Sequence, residues 1–425
     1  MDNKDIRERV LIVGVDLESD LIDIENSLDE LEELVKAANG VVISRLIQKK
    51  DNINPTYFIG KGKAEEIRHY CDELNISTVV FNDELSGAQL RNLEKIIDRK
   101  IVDRTNLILD IFARRAKSKE GKLQVKLAQL KYRLPRLIGF RDYLSREGGG
   151  IGTRGPGEQK LETDRRHILR EINNIEKQLK EIEKIRDVKR KKRRESNLPI
   201  VALVGYTNAG KSTLMNKVIE LNDDYEETKK VYVEDMLFAT LDTSLRRSKL
   251  PNGQAFLLTD TVGFVSKLPT KLVEAFKGTL EEVKYADLLL HVVDASNKDL
   301  DIQIQTTFNI LKELEVLDKP TITVFNKMDK VDIHNLVYDN RYIEEKVFIS
   351  AKTGENLDKL LLKIQDQLPY SYKFVTLNIP YDKHNIVDYF MQNYEIDNIE
   401  YTEKGTVLEL NINPIDMKKY KEFIV

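Results

Sequence analysis

One stretch constrains this chain more than any other: Gly205-Tyr206-Thr207-Asn208-Ala209-Gly210-Lys211-Ser212, placed after the apolar run at 200–204 and before Thr213-Leu214-Met215-Asn216, which reads as helix. A strand, a glycine-bounded loop and a helix in that order make a phosphate-binding loop. The glycines let backbone N–H groups curl around phosphate oxygens at a helix N-terminus, Lys211 neutralises the outer phosphates, and Ser212 offers a hydroxyl to Mg²⁺. The expected contacts are Gly205, Tyr206, Thr207, Asn208, Ala209, Gly210, Lys211, Ser212 and Thr213. Further apolar runs at 256–258, 288–293, 321–325 and 347–349 alternate with helical stretches, which predicts an α/β domain with a doubly wound, mostly parallel sheet over 197–369.

Two more segments fall at strand ends, where ligand sites of open α/β sheets lie. In Asn326-Lys327-Met328-Asp329 the carboxylate of Asp329 can accept hydrogen bonds from the N1–H and 2-amino groups of guanine. Adenine offers neither donor there, and a site built for donors strongly rejects a base that lacks them. Ser350-Ala351-Lys352 follows at another strand end and completes the expected base pocket. Between the phosphate and base segments lies Asp260-Thr261-Val262-Gly263-Phe264. Asp260 is expected to hold Mg²⁺ through water, and the Gly263 N–H to sense a γ-phosphate. Upstream, Thr240 is the candidate for a second hydroxyl on the metal, with Thr243 close by as the competitor. The expected activity is GTP hydrolysis, with Lys211, Thr240 and Gly263 as the catalytic set and Ser212, Thr240 and Asp260 as the metal set.

At 425 residues the chain is too long for one core. Runs at 10–15, 41–47, 57–59 and 77–81, with helical stretches at 63–74 and 87–97, predict a small α/β domain over 1–102. Beyond it, Leu123, Leu127, Leu130 and Leu134, then Ile168, Ile172, Ile175, Leu179 and Ile182, form two apolar seams that fit an antiparallel helical hairpin over 103–196. Its connection at 145–160 holds six of the 20 glycines together with Arg154 and Lys160. A mobile basic tip suits phosphate contacts, a floppy linker being the plainer reading. The segment 370–425 reads as strand, helix, two strands around Glu403-Lys404-Gly405, and a helix after Pro414, a small α+β domain. One cysteine, Cys71, excludes an intrachain disulfide and suits a reducing compartment, and the five histidines are scattered. No stretch approaches the roughly 18 apolar residues of a membrane span. A cytoplasmic monomer is expected, peripheral to ribosomes or membrane.

The markers Gly60-Lys61-Gly62-Lys63, Asp103-Arg104-Thr105, Gly121-Lys122-Leu123-Gln124-Val125 and Gly155-Pro156-Gly157-Glu158 give the chain a resemblance to the HflX family of ribosome-associated GTPases, in the Obg-HflX group, along nearly its whole length. The resemblance implies binding to the large ribosomal subunit and separation of stalled or idle ribosomes under stress. It also implies that the hairpin tip, here Gly149, Gly150, Arg154, Gly155 and Lys160, reaches ribosomal RNA. The resemblance also allows ATP use by the N-terminal domain, but Gly60-Lys61-Gly62-Lys63 lacks phosphate-loop spacing and no residues are assigned to it. Many GTPases carry a water-orienting glutamine directly after Asp-x-x-Gly; here that position is Phe264, so slow intrinsic turnover is expected. Asn208 is similar to an asparagine that helps hold K⁺ beside the phosphates in a subset of GTPases, with loop packing as the alternative. The rival functions are an RNA-binding or ribosome-assembly GTPase whose turnover does not separate subunits, and a GTPase fused to an RNA-modifying enzyme, for which no nucleophile constellation is found.

Overall fold

The apolar run ahead of the phosphate loop becomes strand β5 (Ile200–Val204), in which Val201 through Val204 are fully buried. A strand covered on both faces needs such an unbroken apolar sequence rather than an alternating one. It lies inside a six-stranded sheet of order β10-β9-β8-β5-β7-β6, made with β6 (Ser244–Lys249), β7 (Ala255–Asp260), β8 (Leu288–Asp294), β9 (Thr321–Asn326) and β10 (Glu345–Phe348). All neighbours are parallel except β6, which pairs antiparallel to β7 at the edge. Chain order reverses at β5, since β7 lies on one side of it and β8 on the other. Its C-terminal end is therefore the switch point where a crevice opens in a doubly wound sheet.

The computed structural model describes residues 7–17, 23–147, 156–195, 198–221, 238, 244–261, 263–267, 281–338, 340–369 and 372–425. The chain divides into two compact units. The unit that holds the six-stranded sheet also contains a three-stranded antiparallel sheet, β11 (Lys373–Ile379), β13 (Gly405–Ile412) and β12 (Ile396–Thr402), with helices His384–Asn393 and Pro414–Lys419. Leu377, Ile379, Phe390, Leu408, Leu410 and Ile412 form its core.

The other unit begins with a four-stranded parallel sheet of order β2-β1-β3-β4, from β1 (Glu8–Leu17), β2 (Gly40–Lys50), β3 (Thr78–Phe81) and β4 (Lys100–Asp103). Helices α1 (Ile24–Ala37), α2 (Lys61–Glu73) and α3 (Gly87–Ile97) connect these strands. The expected strand at 57–59 does not form. Asn54 and Phe58 instead exchange backbone bonds across a tight turn, with Phe58 at φ 67, and the Asn54 side chain caps Thr56 and Tyr57. Two buried apolar residues, Phe58 and Ile59, beside the half-buried Tyr57 look like a strand to an argument from hydrophobicity. Cys71 is fully buried in this core, and burial pushes its thiol up to about 11, so it is inert as a nucleophile.

The family marker Asp103-Arg104-Thr105 has a structural explanation here. Asp103 caps helix α4 (Arg104–Arg115) and accepts from Asn106 N, Leu85 N, Tyr132 Oη and Arg136. Arg104, 1% exposed, donates to Asn82 and Glu30 and to Ser266 Oγ at 2.9 Å. Helices α5 (Lys119–Glu147) and α6 (Pro156–Glu195) follow, their seams Leu127, Leu130, Ile168, Ile172 and Ile175 packed into one cluster. Glu120 at the start of α5 pairs with Arg186 toward the end of α6, the antiparallel hairpin that the seams predict.

Candidate functional site

The loop from β5 to helix α7 (Lys211–Glu220) is shaped by two glycines in conformations other residues avoid. Gly205 has φ +138, and a side chain there would meet the Val292 carbonyl of β8 at 2.2 Å. Gly210 has φ +93, and its Cβ would meet Asn326 Nδ2 at 2.2 Å. The loop is thus pressed against two neighbouring strand ends, which only glycine permits. Lys211 is buried, and its ammonium donates back to the Gly205 and Tyr206 carbonyls at 3.0 and 2.7 Å. Burial pushes its pKa down to about 8 against the pull of Asp260. A cation held in a low-dielectric loop gains strongly from an anion placed beside it.

Ser212, at the second position of α7, donates to Asp260 Oδ2 at 2.6 Å. Asp260 is fully buried at the end of β7, and the next residue, Thr261, fastens back to the Leu203 carbonyl of β5 at 2.6 Å. A hydroxyl and a carboxylate so close together, both hard oxygen donors, fit Mg²⁺, which takes one or two protein oxygens and leaves its other positions to phosphate and water. Among the described residues there is no cluster of three or more His, Cys, Asp or Glu that could cage a metal by itself. Gly263 and Phe264 are both buried. Thr240, Thr243 and Val262 lie outside the described residues.

The expected base segment is brought to the same sheet edge. Asn326, the last residue of β9, donates to the Ala209 carbonyl at 2.8 Å and accepts from Ala351 N at 2.9 Å. One buried amide therefore ties the phosphate loop to the Ser350-Ala351-Lys352 loop. Met328 N reaches Ile349 O, which holds the two segments side by side. Asp329 is exposed, and its Oδ1 accepts from Ser350 Oγ at 2.7 Å. That bond holds its carboxyl below the usual carboxylate range, so it is an anion facing solvent. A carboxylate has about four lone-pair positions, so Ser350 leaves room for two donors from a base. Lys352 and Asn208 are exposed, and Asn208 adopts φ 59.

Asn326, expected as part of the base motif, is the joint between the loops. Sequence reasoning missed one participant. Asp294, at the end of β8, was not singled out, although it receives Lys327 Nζ at 2.7 Å. The signal for it was a carboxylate at the C-terminal end of a predicted central strand. His291, on the same strand, is buried, and burial with the nearby Lys211 charge pushes its imidazole down to about 3, a neutral spacer rather than an acid or base. Of the residues expected to meet RNA, Gly149, Gly150, Arg154 and Gly155 lie outside the described residues. Lys160 lies in α6, its side chain outside them. No helix among the described residues is long and apolar enough to cross a membrane.

The chain is similar to known GTPases along most of its length. Residues 25–113 match the family described as GTP-binding GTPase N-terminal, 115–193 the GTP-binding GTPase middle region, and 200–327 the 50S ribosome-binding GTPase. The chain is 48% identical over 401 residues to the GTPase HflX of Caldanaerobacter subterraneus subsp. tengcongensis, covering 94% of this chain and 91% of that protein. It is 38% identical over 421 residues to the GTPase HflX of Escherichia coli, covering 98% and 96%. Among solved structures, a GTP-binding protein from Sulfolobus solfataricus in complex with GDP is similar at 28% identity and a TM-score of 0.43, covering 85% of this chain and 98% of that one.

Proposed function

The chain belongs to the HflX family of GTPases, and from that premise we propose that it binds the large ribosomal subunit when loaded with GTP and separates stalled or idle ribosomes under stress. The observation that carries the reading is the match of 200–327, the stretch from β5 to the base segment, to a ribosome-binding GTPase family. In this reading the backbone of Gly205 through Thr213 wraps the phosphates, and Lys211 gives up its carbonyl partners to the outer phosphates. Ser212 and Asp260, with Thr240, hold Mg²⁺, which supplies charge neutralisation at the phosphate oxygens. Asn326 sets the spacing between phosphate and base. Asp329 accepts the two guanine donors, with Lys327, Met328, Ser350, Ala351 and Lys352 around the base. Thr261, Val262 and Gly263 form the segment that responds to the γ-phosphate.

Hydrolysis transfers the γ-phosphoryl group to water: the bond to the β-phosphate oxygen breaks, GDP leaves, and a proton is released. The protein supplies position and charge. At Phe264 it has no group that could orient the water, so turnover waits on a partner. The hairpin tip, with Gly149, Gly150, Arg154, Gly155 and Lys160, is the part that reaches RNA. Asn208, exposed on the phosphate loop, completes a K⁺ position against the phosphates.

The test is GTP turnover by the full chain with and without purified large subunits, in K⁺ and in Na⁺. The reading expects slow turnover alone, a rise of about tenfold or more with subunits, and faster turnover in K⁺. Turnover indifferent to subunits would remove the ribosomal reading and leave the GTPase. Equal rates in the two salts would remove the K⁺ position alone.

A further inference from the structure

We infer that Asp294 is a positioning residue for base recognition, acting through Lys327; this rests on the guanine reading of Asp329. Lys327 stands in the left-handed region at φ 66. A non-glycine residue there is strained and persists only where its surroundings fix it, most often at a functional site. The strain is localised to the turn that carries Asn326 into the short 3-10 helix Met328–Lys330 and so aims Asp329.

Two things fix Lys327. Its backbone is bounded by Asn326, locked between Ala209 and Ala351, and by Met328 N on the Ile349 carbonyl. Its ammonium is bound by Asp294 Oδ2 at 2.7 Å, with both side chains mostly buried. Asp294 is itself aimed. It sits opposite Asn326 in the β8–β9 register, and Ala295 N bonds the Asn326 carbonyl at 3.0 Å. Its Oδ1 accepts from Ser296 N at 3.0 Å and from Ser296 Oγ at 2.6 Å. One carboxylate oxygen is thus used to orient the group, and the other meets the lysine.

The arrangement ties the lysine ammonium to the end of β8. An exposed lysine would sample many rotamers, and restricting it before the ligand arrives lowers the entropic cost of binding. A charge-assisted pair with little solvent access is the kind that holds geometry. Asp294 touches no substrate in this account. It acts on affinity for the base and leaves the reacting phosphates alone.

Asp294→Asn is a clean variant, because the amide oxygen keeps both Ser296 bonds while its NH₂ faces the lysine. The expected result is a KM for GTP and a Kd for GDP each raised about tenfold, the size of one charge-assisted contact, with kcat at saturating GTP near the parent value. In a Lys327→Ala background, Asp294→Asn should add nothing further to either constant. A merely structural role would lower thermal stability, leave the KM-to-kcat split flat and add on top of Lys327→Ala. Unchanged KM and Kd, or additive losses, would overturn the proposal. If Asp294→Asn does not fold, Ser296→Ala serves, since it removes the hydroxyl bond that helps orient the carboxylate while keeping the backbone bond and the charge. KM should then rise about threefold, and no rise overturns the proposal equally. Asp329→Asn separates the two readings. It should weaken GTP and favour XTP, whose 2-oxo group meets an amide donor. If Asp329→Asn changes nothing, the base site is misassigned. If it weakens GTP and the Asp294 variants do not, only the present inference fails.

Discussion

Phe264 is 1% exposed, and at the position after Asp-x-x-Gly it can neither hold a water nor be reached by one. A glutamine placed there would bury an amide, at a cost of about 1–3 kcal/mol if its partners are missing. Phe264→Gln is therefore expected to lower Tm without raising turnover. A large gain in kcat, comparable to activation by ribosomes, would contradict this. At this scale the motif residues were legible in the sequence because their spacing reports their geometry. Lys211 and Ser212 stand where a strand–loop–helix puts them. Asp294 was not, because it lies 33 positions before Lys327 and nothing local marks it as that residue's partner.

Asp103 shows what one element junction can hold. It caps α4 and binds Tyr132 and Arg136 of α5, with the Arg136 guanidinium 3.4 Å above the Tyr132 ring. Burial and the neighbouring carboxylate push the Tyr132 phenol well above its usual range, so it remains a neutral donor. Tyr132→Phe removes one donor from a carboxylate that keeps three others. We expect a loss of about 1–3 kcal/mol in unfolding free energy, with GDP affinity unchanged. A fall in GDP affinity of more than about twofold would show that this junction reports to the nucleotide site, contrary to the account.

Elements of this kind were legible where apolar residues fell in runs, as in β5, β8 and β9. Strand β6 was not. Its sequence Ser244-Leu245-Arg246-Arg247-Ser248-Lys249 is mostly polar because an edge strand needs little burial, and among the described residues its only strand neighbour is β7. The turn at Asn54–Phe58 erred in the opposite sense, since Phe58 and Ile59 are buried without being extended in a ladder.

For the whole molecule, each of the two units has its own buried apolar cluster. The nucleotide loops stand on the six-stranded sheet, and the α5–α6 hairpin stands with the four-stranded one. The architecture was legible because each part announces itself by a change of period, from short alternating units to long helical seams and back. The proposed partner rests on resemblance, since a glycine-rich basic connection can meet any polyanion.

The most direct measurement is co-sedimentation of the full chain with purified large ribosomal subunits in GDP, in a non-hydrolysable GTP analogue and without nucleotide, repeated with 148–157 replaced by a short linker. The account predicts tighter binding with the analogue than with GDP, lost when the tip is replaced. Binding that is equal in all three states, or absent from all, would contradict it.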